Sequence, residues 1–110
     1  MSYRFMRVMV FFDLPTLTVK DGQEYRRFQK FLVKNGFIMS QLSVYSKLVL
    51  NASQAKSVKK LLEKNVPQRG LVQVLQITEQ QFANIVYLAG KSQTKILDSD
   101  ARWVEIGDKE

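Results

Sequence analysis

The segment Arg4-Phe-Met-Arg-Val-Met-Val-Phe-Phe-Asp-Leu-Pro-Thr16 is a nearly continuous apolar run that ends at one carboxylate and a proline. Such a run predicts a strand, over about residues 3–13, that is covered on both faces of a sheet. Alternate side chains of a strand point to opposite faces. One face is then wholly apolar and is predicted to pack under helices: Met6, Val8, Val10 and Phe12. The other face comprises Phe5, Arg7, Met9, Phe11 and Asp13, and it carries two charges, those of Arg7 and Asp13.

A helix is predicted after the break at Leu14-Pro15-Thr16. The spacing in Asp21-Gly-Gln-Glu24 is that of a capping box and predicts a helix that follows it. Asn35-Gly36 is a left-handed stop signal and predicts its end. The residues at helical spacing that we expect in the core are Tyr25, Phe28, Phe31 and Leu32.

The rest of the chain predicts further strands and a second helix. Two strands, over residues 37–40 and 43–50, are expected to join near Gln41 and Leu42. Asn51 is expected to cap a helix over residues 52–65, and a strand should cover 71–78. The expected core residues of that helix are Ala55, Val58, Leu61, Leu62 and Val66. Residues 82–88 are a further apolar segment, and 102–106 are a weaker strand candidate.

This order predicts an α+β fold of the ferredoxin-like type, βαββαβ with one or two extra C-terminal strands. Both helices should lie on one face of an antiparallel sheet. The opposite face would then expose Phe5, Met9 and Phe11, which is a large contiguous apolar patch to leave in water. We therefore expect a homodimer in which the sheets of two copies face each other.

Composition limits the class of protein and the chemistry. With 110 residues and 45% apolar residues, the chain predicts one globular domain over 1–95 and an acidic tail over 96–110. No apolar segment is long enough to span a membrane and no signal-peptide pattern is present, so we expect a cytoplasmic protein without membrane association. Histidine and cysteine are absent, which excludes catalytic triads, thiolate sites and His-ligated zinc. Any metal would need oxygen ligands, which favours magnesium or manganese.

The charge is unevenly distributed. Residues 1–95 hold 15 Lys and Arg against five Asp and Glu, whereas residues 96–110 hold two against five. A basic body indicates a nucleic-acid partner, and an ordinary basic surface is the alternative. Cations recur along the first predicted helix with few acids nearby, and we predict phosphate contacts from Arg26, Arg27, Lys30 and Lys34. A second row, with weaker support, comprises Lys56, Lys59, Lys60 and Lys64.

Three segments together resemble the CRISPR-associated protein 2 family over almost the whole chain. They are Phe12-Asp-Leu-Pro-Thr16, Tyr25-Arg-Arg-Phe-Gln-Lys-Phe-Leu32 and Gly36-Phe-Ile-Met-Ser-Gln-Leu-Ser-Val-Tyr-Ser-Lys47. Thr78-Glu-Gln-Gln-Phe82 and Tyr87-Leu-Ala-Gly90 resemble the form found in type II-A systems. This resemblance implies a homodimeric subunit of the spacer-acquisition complex, which binds duplex prespacer DNA and bridges dimers of the integrase subunit.

The resemblance also implies an enzymatic alternative. The family's catalytic, magnesium-binding aspartate corresponds to Asp13, and the two copies of it would approach each other across the dimer. A magnesium- or manganese-dependent endonuclease, acting on single-stranded RNA or on duplex DNA, is therefore the second hypothesis. A structural role for Asp13, such as capping the loop at Thr16 or pairing with Arg7, is the alternative to metal binding.

The acidic tail has two interpretations. It is either a solubilising extension or an edge strand that pairs in the dimer or with the integrase subunit. Trp103 is the only tryptophan of the chain, and we predict that Trp103 and Val104 belong to a partner interface.

Overall fold

The computed structural model describes residues 5–90, which form a four-stranded antiparallel sheet with three helices. The elements are β1 (Met6–Asp13), α1 (Val19–Lys34), β2 (Ile38–Gln41), β3 (Val44–Val49), α2 (Ala52–Asn65), β4 (Leu71–Thr78) and α3 (Glu79–Ala83). The strands lie in the order β2-β3-β1-β4, so β1 is flanked by β3 and β4, both antiparallel to it. The predicted α+β fold of ferredoxin-like type is confirmed.

The core lies between the sheet and the two long helices, as the alternation along β1 predicted. Val8 and Val10 are fully buried in the same cluster as Phe28 and Leu32 of α1. The ring of Phe12 meets that of Phe28 edge to face, with centroids 5.3 Å apart. Helices α1 and α2 therefore cover one face of the sheet and do not cover the opposite one, which is here called the outer face.

Helix α1 begins earlier than the sequence pattern indicated. Its capping box joins Thr18 and Asp21, so Asp21 occupies the third helical position and is not the cap itself. The Thr18 hydroxyl accepts from the Asp21 amide at 3.0 Å, and the Asp21 carboxylate accepts from the amides of Leu17 and Thr18. These bonds satisfy amides that a helix starting after Asp21 would leave without partners. The predicted end is confirmed, since Gly36 follows Asn35 with φ of +88°.

Two other predicted details were wrong by small amounts. The connection between β2 and β3 is Leu42-Ser43, with Ser43 at φ of +64°, and lies one residue beyond the predicted pair. Helix α2 has the predicted bounds and the Asn51 cap, and Ala55 and Leu62 are buried. However, Leu61 is 40% exposed, because only one stripe of this helix meets the sheet, and Val66, which follows the helix, is 38% exposed.

The segment after β4 differs from the extra strand that the sequence favoured. Within residues 79–90 the chain forms α3 and no strand. The other strand candidate, at 102–106, lies outside the described residues, and so do Trp103, Val104 and the acidic tail. No helix among residues 5–90 is long and apolar enough to cross a membrane.

Candidate functional site

The outer face of the sheet is apolar, and the described chain leaves much of it exposed. Strand pairing places Phe11 between Val44 and Gln73, and Asp13 beside Leu71. Five large apolar side chains on this face are between 38% and 56% exposed: Phe5, Ile38, Leu48, Leu71 and Leu75. Exposure of this kind on β2, β3 and β4, and just before β1, indicates an interaction surface.

The three residues predicted for a dimer interface are placed differently on this face. Phe5 is exposed and Phe11 is half-buried, so both have surface for a partner to cover. Met9 is only 6% exposed in the single chain, between Ser46 of β3 and Leu75 of β4. A partner is therefore not needed to bury Met9, whose position at the centre of the sheet already does so.

Arg7 joins α3 to one end of the outer face. Its guanidinium donates to both carboxylate oxygens of Glu79, at 2.7 and 3.0 Å, and lies 4.3 Å from the ring centroid of Phe82. The two partners of this ion pair are 72 residues apart, and the pairing of β1 with β4 brings them together. Helix α3 was not predicted, although Thr78 and Gln81 have the capping-box spacing that marks its start.

Asp13 is exposed at the last position of β1, at the edge of the apolar patch. Arg7 pairs with Glu79 and not with Asp13, which removes one of the structural roles considered for this carboxylate. Within residues 5–90 the Asp13 side chain makes no hydrogen bond, and no three acidic residues come close enough together to hold a metal. One chain would thus supply one ligand, Asp13, to a magnesium or manganese ion. Further ligands would have to come from a second copy, nucleic acid or water.

Gly70 packs directly on the backbone from which Asp13 projects. It has φ of +100°, and a Cβ atom there would lie 2.9 Å from the carbonyl oxygen of Asp13 and 3.0 Å from Cα of Leu14. Both atoms belong to the backbone at the end of β1, so they cannot move aside as a side chain can. The loop between α2 and β4 therefore helps to fix the position of the backbone at Asp13.

Gly70→Ala is expected to destabilise the protein by about 2 kcal/mol, through the positive φ and through contact with backbone. Gly90→Ala is the matched control, because Gly90 also has positive φ, at +83°, but no atom of residues 5–90 lies within 4 Å of a Cβ there. The control should lose about 1 kcal/mol, from the backbone conformation alone. Urea denaturation of both variants measures the difference, and equal losses would contradict close packing of Gly70 on the Asp13 backbone.

The predicted phosphate-binding row lies on the exposed side of α1. Arg26, Lys30 and Lys34 are exposed, and none of them forms an ion pair with another residue of the described part of the chain. Arg27 differs, because it donates to Glu24 at 3.0 Å and to the carbonyl oxygen of Asn65 at 3.3 Å. One salt bridge therefore engages Arg27, although few acids lie nearby in the sequence, whereas Arg26, Lys30 and Lys34 have no ion pair within residues 5–90.

Comparison with known proteins identifies relatives of this chain. The model of the family described as CRISPR associated protein Cas2 matches residues 6–85. A CRISPR-associated endoribonuclease Cas2 of Treponema denticola is 52% identical over 99 residues, which cover 90% of this chain and 98% of that protein. The protein of the same name from Streptococcus mutans serotype c is 46% identical and covers 94% of both chains.

A solved structure supports the fold independently. The chain superimposes on a crystal structure of Cas2 with a TM-score of 0.56, covering 82% of this chain and 92% of that one. The sequences are 19% identical, so this likeness concerns the fold alone.

Proposed function

The chain belongs to the Cas2 family of CRISPR-associated proteins, and we propose that it serves there as a homodimeric scaffold in the acquisition of new spacers. In this role the dimer holds duplex prespacer DNA and bridges dimers of the integrase subunit. The observation that carries the proposal is the separation of two surfaces, an exposed apolar outer face and a basic row on the opposite side of the sheet. The relationship to the Streptococcus mutans protein is compatible with the predicted type II-A form.

A dimer joined through the outer faces keeps the basic rows accessible. The core shows that α1 packs on the other face of the sheet, through Phe28 and Leu32. Two sheets placed with their outer faces together therefore carry their helices on the outside. The cations of both copies, Arg26, Lys30 and Lys34, then face solvent, where a duplex can neutralise them.

The row of cations on α1 is suited to contacts with the phosphate backbone of a nucleic acid. Arg26, Lys30 and Lys34 follow each other at intervals of four residues, so they lie on one side of α1. Cations of this kind contact phosphates and carry no sequence information. Binding that does not depend on base sequence is what a scaffold for diverse spacers requires.

A magnesium- or manganese-dependent endonuclease, for RNA or DNA, is the second candidate. It is favoured by the exposure of Asp13 at the end of a central strand, without a protein partner in the described chain, and by the names of the relatives. A bound metal ion would supply activated water, while Asp13 would hold the ion and orient it beside the dimer seam. We prefer the scaffold, because within residues 5–90 no second carboxylate, base or nucleophile is gathered with Asp13 to complete a hydrolytic site.

Two charge reversals of equal size test where DNA binds. Arg26→Glu/Lys30→Glu on α1 should weaken binding of duplex DNA and reduce the slope of log affinity against log salt by about 1.8, since each phosphate contact contributes about 0.9. Lys56→Glu/Lys60→Glu on α2 is the matched control, with the same spacing and net charge change. Binding titrations at several salt concentrations measure both slopes.

The control should change the slope much less than the α1 variant, and acquisition of spacers with the integrase subunit should fail only in the α1 variant. If the α2 variant alone loses slope, the DNA runs along the second lysine row. If neither variant changes the slope or acquisition, the scaffold proposal is wrong.

A further inference from the structure

A cleft of about 500 Å³ lies between the start of α1 and the end of α2, on the helical side of the protein. Its volume falls within the range of sites for small ligands. One wall is formed by the loop after β1 and the first turns of α1, and the other by the end of α2 and the loop that follows it. The charged residues that line it are Lys20, Asp21, Glu24, Arg27, Lys64 and Arg69.

Both carboxylates of the cleft are already neutralised by arginines. Asp21 is 6% exposed, and its Oδ1 accepts from Arg69 at 2.9 Å while its Oδ2 accepts from two backbone amides. Glu24 accepts from both Nε and Nη2 of Arg27. Lys20 and Lys64 form no ion pair within residues 5–90, so the walls carry excess positive charge.

The arginines are held in place and keep donors for a ligand. Arg69 remains 65% exposed although Nη1 is bound to the nearly buried Asp21. Arg27 is fixed between the two walls, since it also donates to the carbonyl oxygen of Asn65. A guanidinium held in this way matches a phosphate, which presents several acceptor oxygens to its planar set of donors.

The uncharged part of the lining combines the polar residues Thr18, Asn65 and Gln68 with apolar ones, and the cleft has room for more than an inorganic anion. Pro15, Val66 and Pro67 contribute non-polar surface beside the cations. A sugar or base can pack on such surface while the phosphate is held by charge. The combination favours a nucleotide over a carboxylate metabolite or an acidic peptide.

We propose that this cleft binds the terminal phosphate monoester of a nucleotide, through Lys20, Arg27, Lys64 and Arg69. A monoester carries close to two negative charges at neutral pH, and a concave site with excess cations suits it better than it suits the single charge of a backbone diester. The source is either a free mononucleotide or the 5′ end of a strand. The strand-end case rests on the proposed nucleic-acid function, whereas the mononucleotide case does not.

The test compares probes that differ only by the phosphate. Adenosine 5′-monophosphate is compared with adenosine, and a 5′-phosphorylated single-stranded oligonucleotide with its 5′-hydroxyl form. Lys20→Gln/Lys64→Gln alters the cleft, and Lys30→Gln/Lys60→Gln is the control that removes the same charges from the same two helices outside the cleft. Calorimetric titration gives the affinities, and thermal melting confirms that both variants are folded.

Wild-type protein should prefer the phosphorylated member of at least one pair by about tenfold. That preference should disappear in the cleft variant and persist in the control, even if the control loses general affinity for the oligonucleotide. A preference confined to the oligonucleotide assigns the cleft to strand ends, and a preference for the mononucleotide assigns it to free nucleotides. Equal binding of both members of each pair, or identical behaviour of the two variants, overturns the proposal.

Discussion

Phe11→Asp is expected to abolish the homodimer, raising its dissociation constant by about a thousandfold or more. Phe11 lies on the outer face between Val44 and Gln73, and it is half-buried in the single chain. A second sheet placed on this face would enclose the new carboxylate among apolar side chains without a cationic partner. Burial of an unpaired charge costs several kcal/mol, enough for a change of this size. Sedimentation equilibrium or light scattering on the purified variant measures it.

Val33→Asp is the matched control for that variant. Val33 is 60% exposed and lies on α1, on the other side of the sheet, so the same charge is introduced at an exposed apolar residue away from the proposed interface. The control should remain dimeric. A soluble, stable dimer of Phe11→Asp would contradict the dimer in which the outer faces meet. If Phe11→Asp is insoluble while Val33→Asp is soluble, the result agrees with an apolar face left uncovered.

Asp13→Asn is expected to abolish any nuclease activity, by at least about a hundredfold, because it removes the only carboxylate proposed to hold the metal. Asparagine has nearly the same shape but no charge, so dimerisation and DNA binding should be preserved. Any activity of the unaltered protein should require magnesium or manganese and stop when the ion is chelated. Cleavage of labelled RNA and DNA, with and without metal, measures these effects.

Glu63→Gln serves as the control, since Glu63 is an exposed carboxylate on α2 that forms no ion pair in the described residues. It should leave every activity unchanged. Integration of spacers should also survive Asp13→Asn, because the scaffold proposal places the integration chemistry in the integrase subunit. Loss of integration by a variant that still assembles with that subunit would make this chain an enzyme in its own right, contrary to the scaffold proposal.

Local patterns in the sequence predicted the structure correctly where a single signal dominated. The alternation along β1 predicted the buried face correctly, because the alternate residues Val8, Val10 and Phe12 of this strand are all apolar. The bounds of α2 followed from Asn51 and Pro67, which begin and stop a helix through local hydrogen bonding and ring geometry. At α1 two capping signals overlapped, and the choice between Thr18 and Asp21 could not be made from spacing alone.

Features that depend on distant residues were not predictable in this way. The ion pair of Arg7 with Glu79 requires the pairing of β1 with β4, and the salt bridge of Asp21 with Arg69 requires the loop after α2 to reach the start of α1. Met9 shows the same limit, because its burial results from the neighbouring strands and not from its own segment.

By itself the sequence determined the α+β order, the apolar face of β1, the family and the basic charge of the body, since these depend on local periodicity and composition. Within residues 5–90, tertiary structure alone decided which cations lack a bonding partner and which of them line the same cleft. Arg27 is engaged by Glu24 and Asn65, while Lys20 and Lys64, 44 positions apart in the chain, line one cleft. The physical reason is that helix formation depends on neighbours a few residues away, whereas a site forms only when packing brings separate segments together.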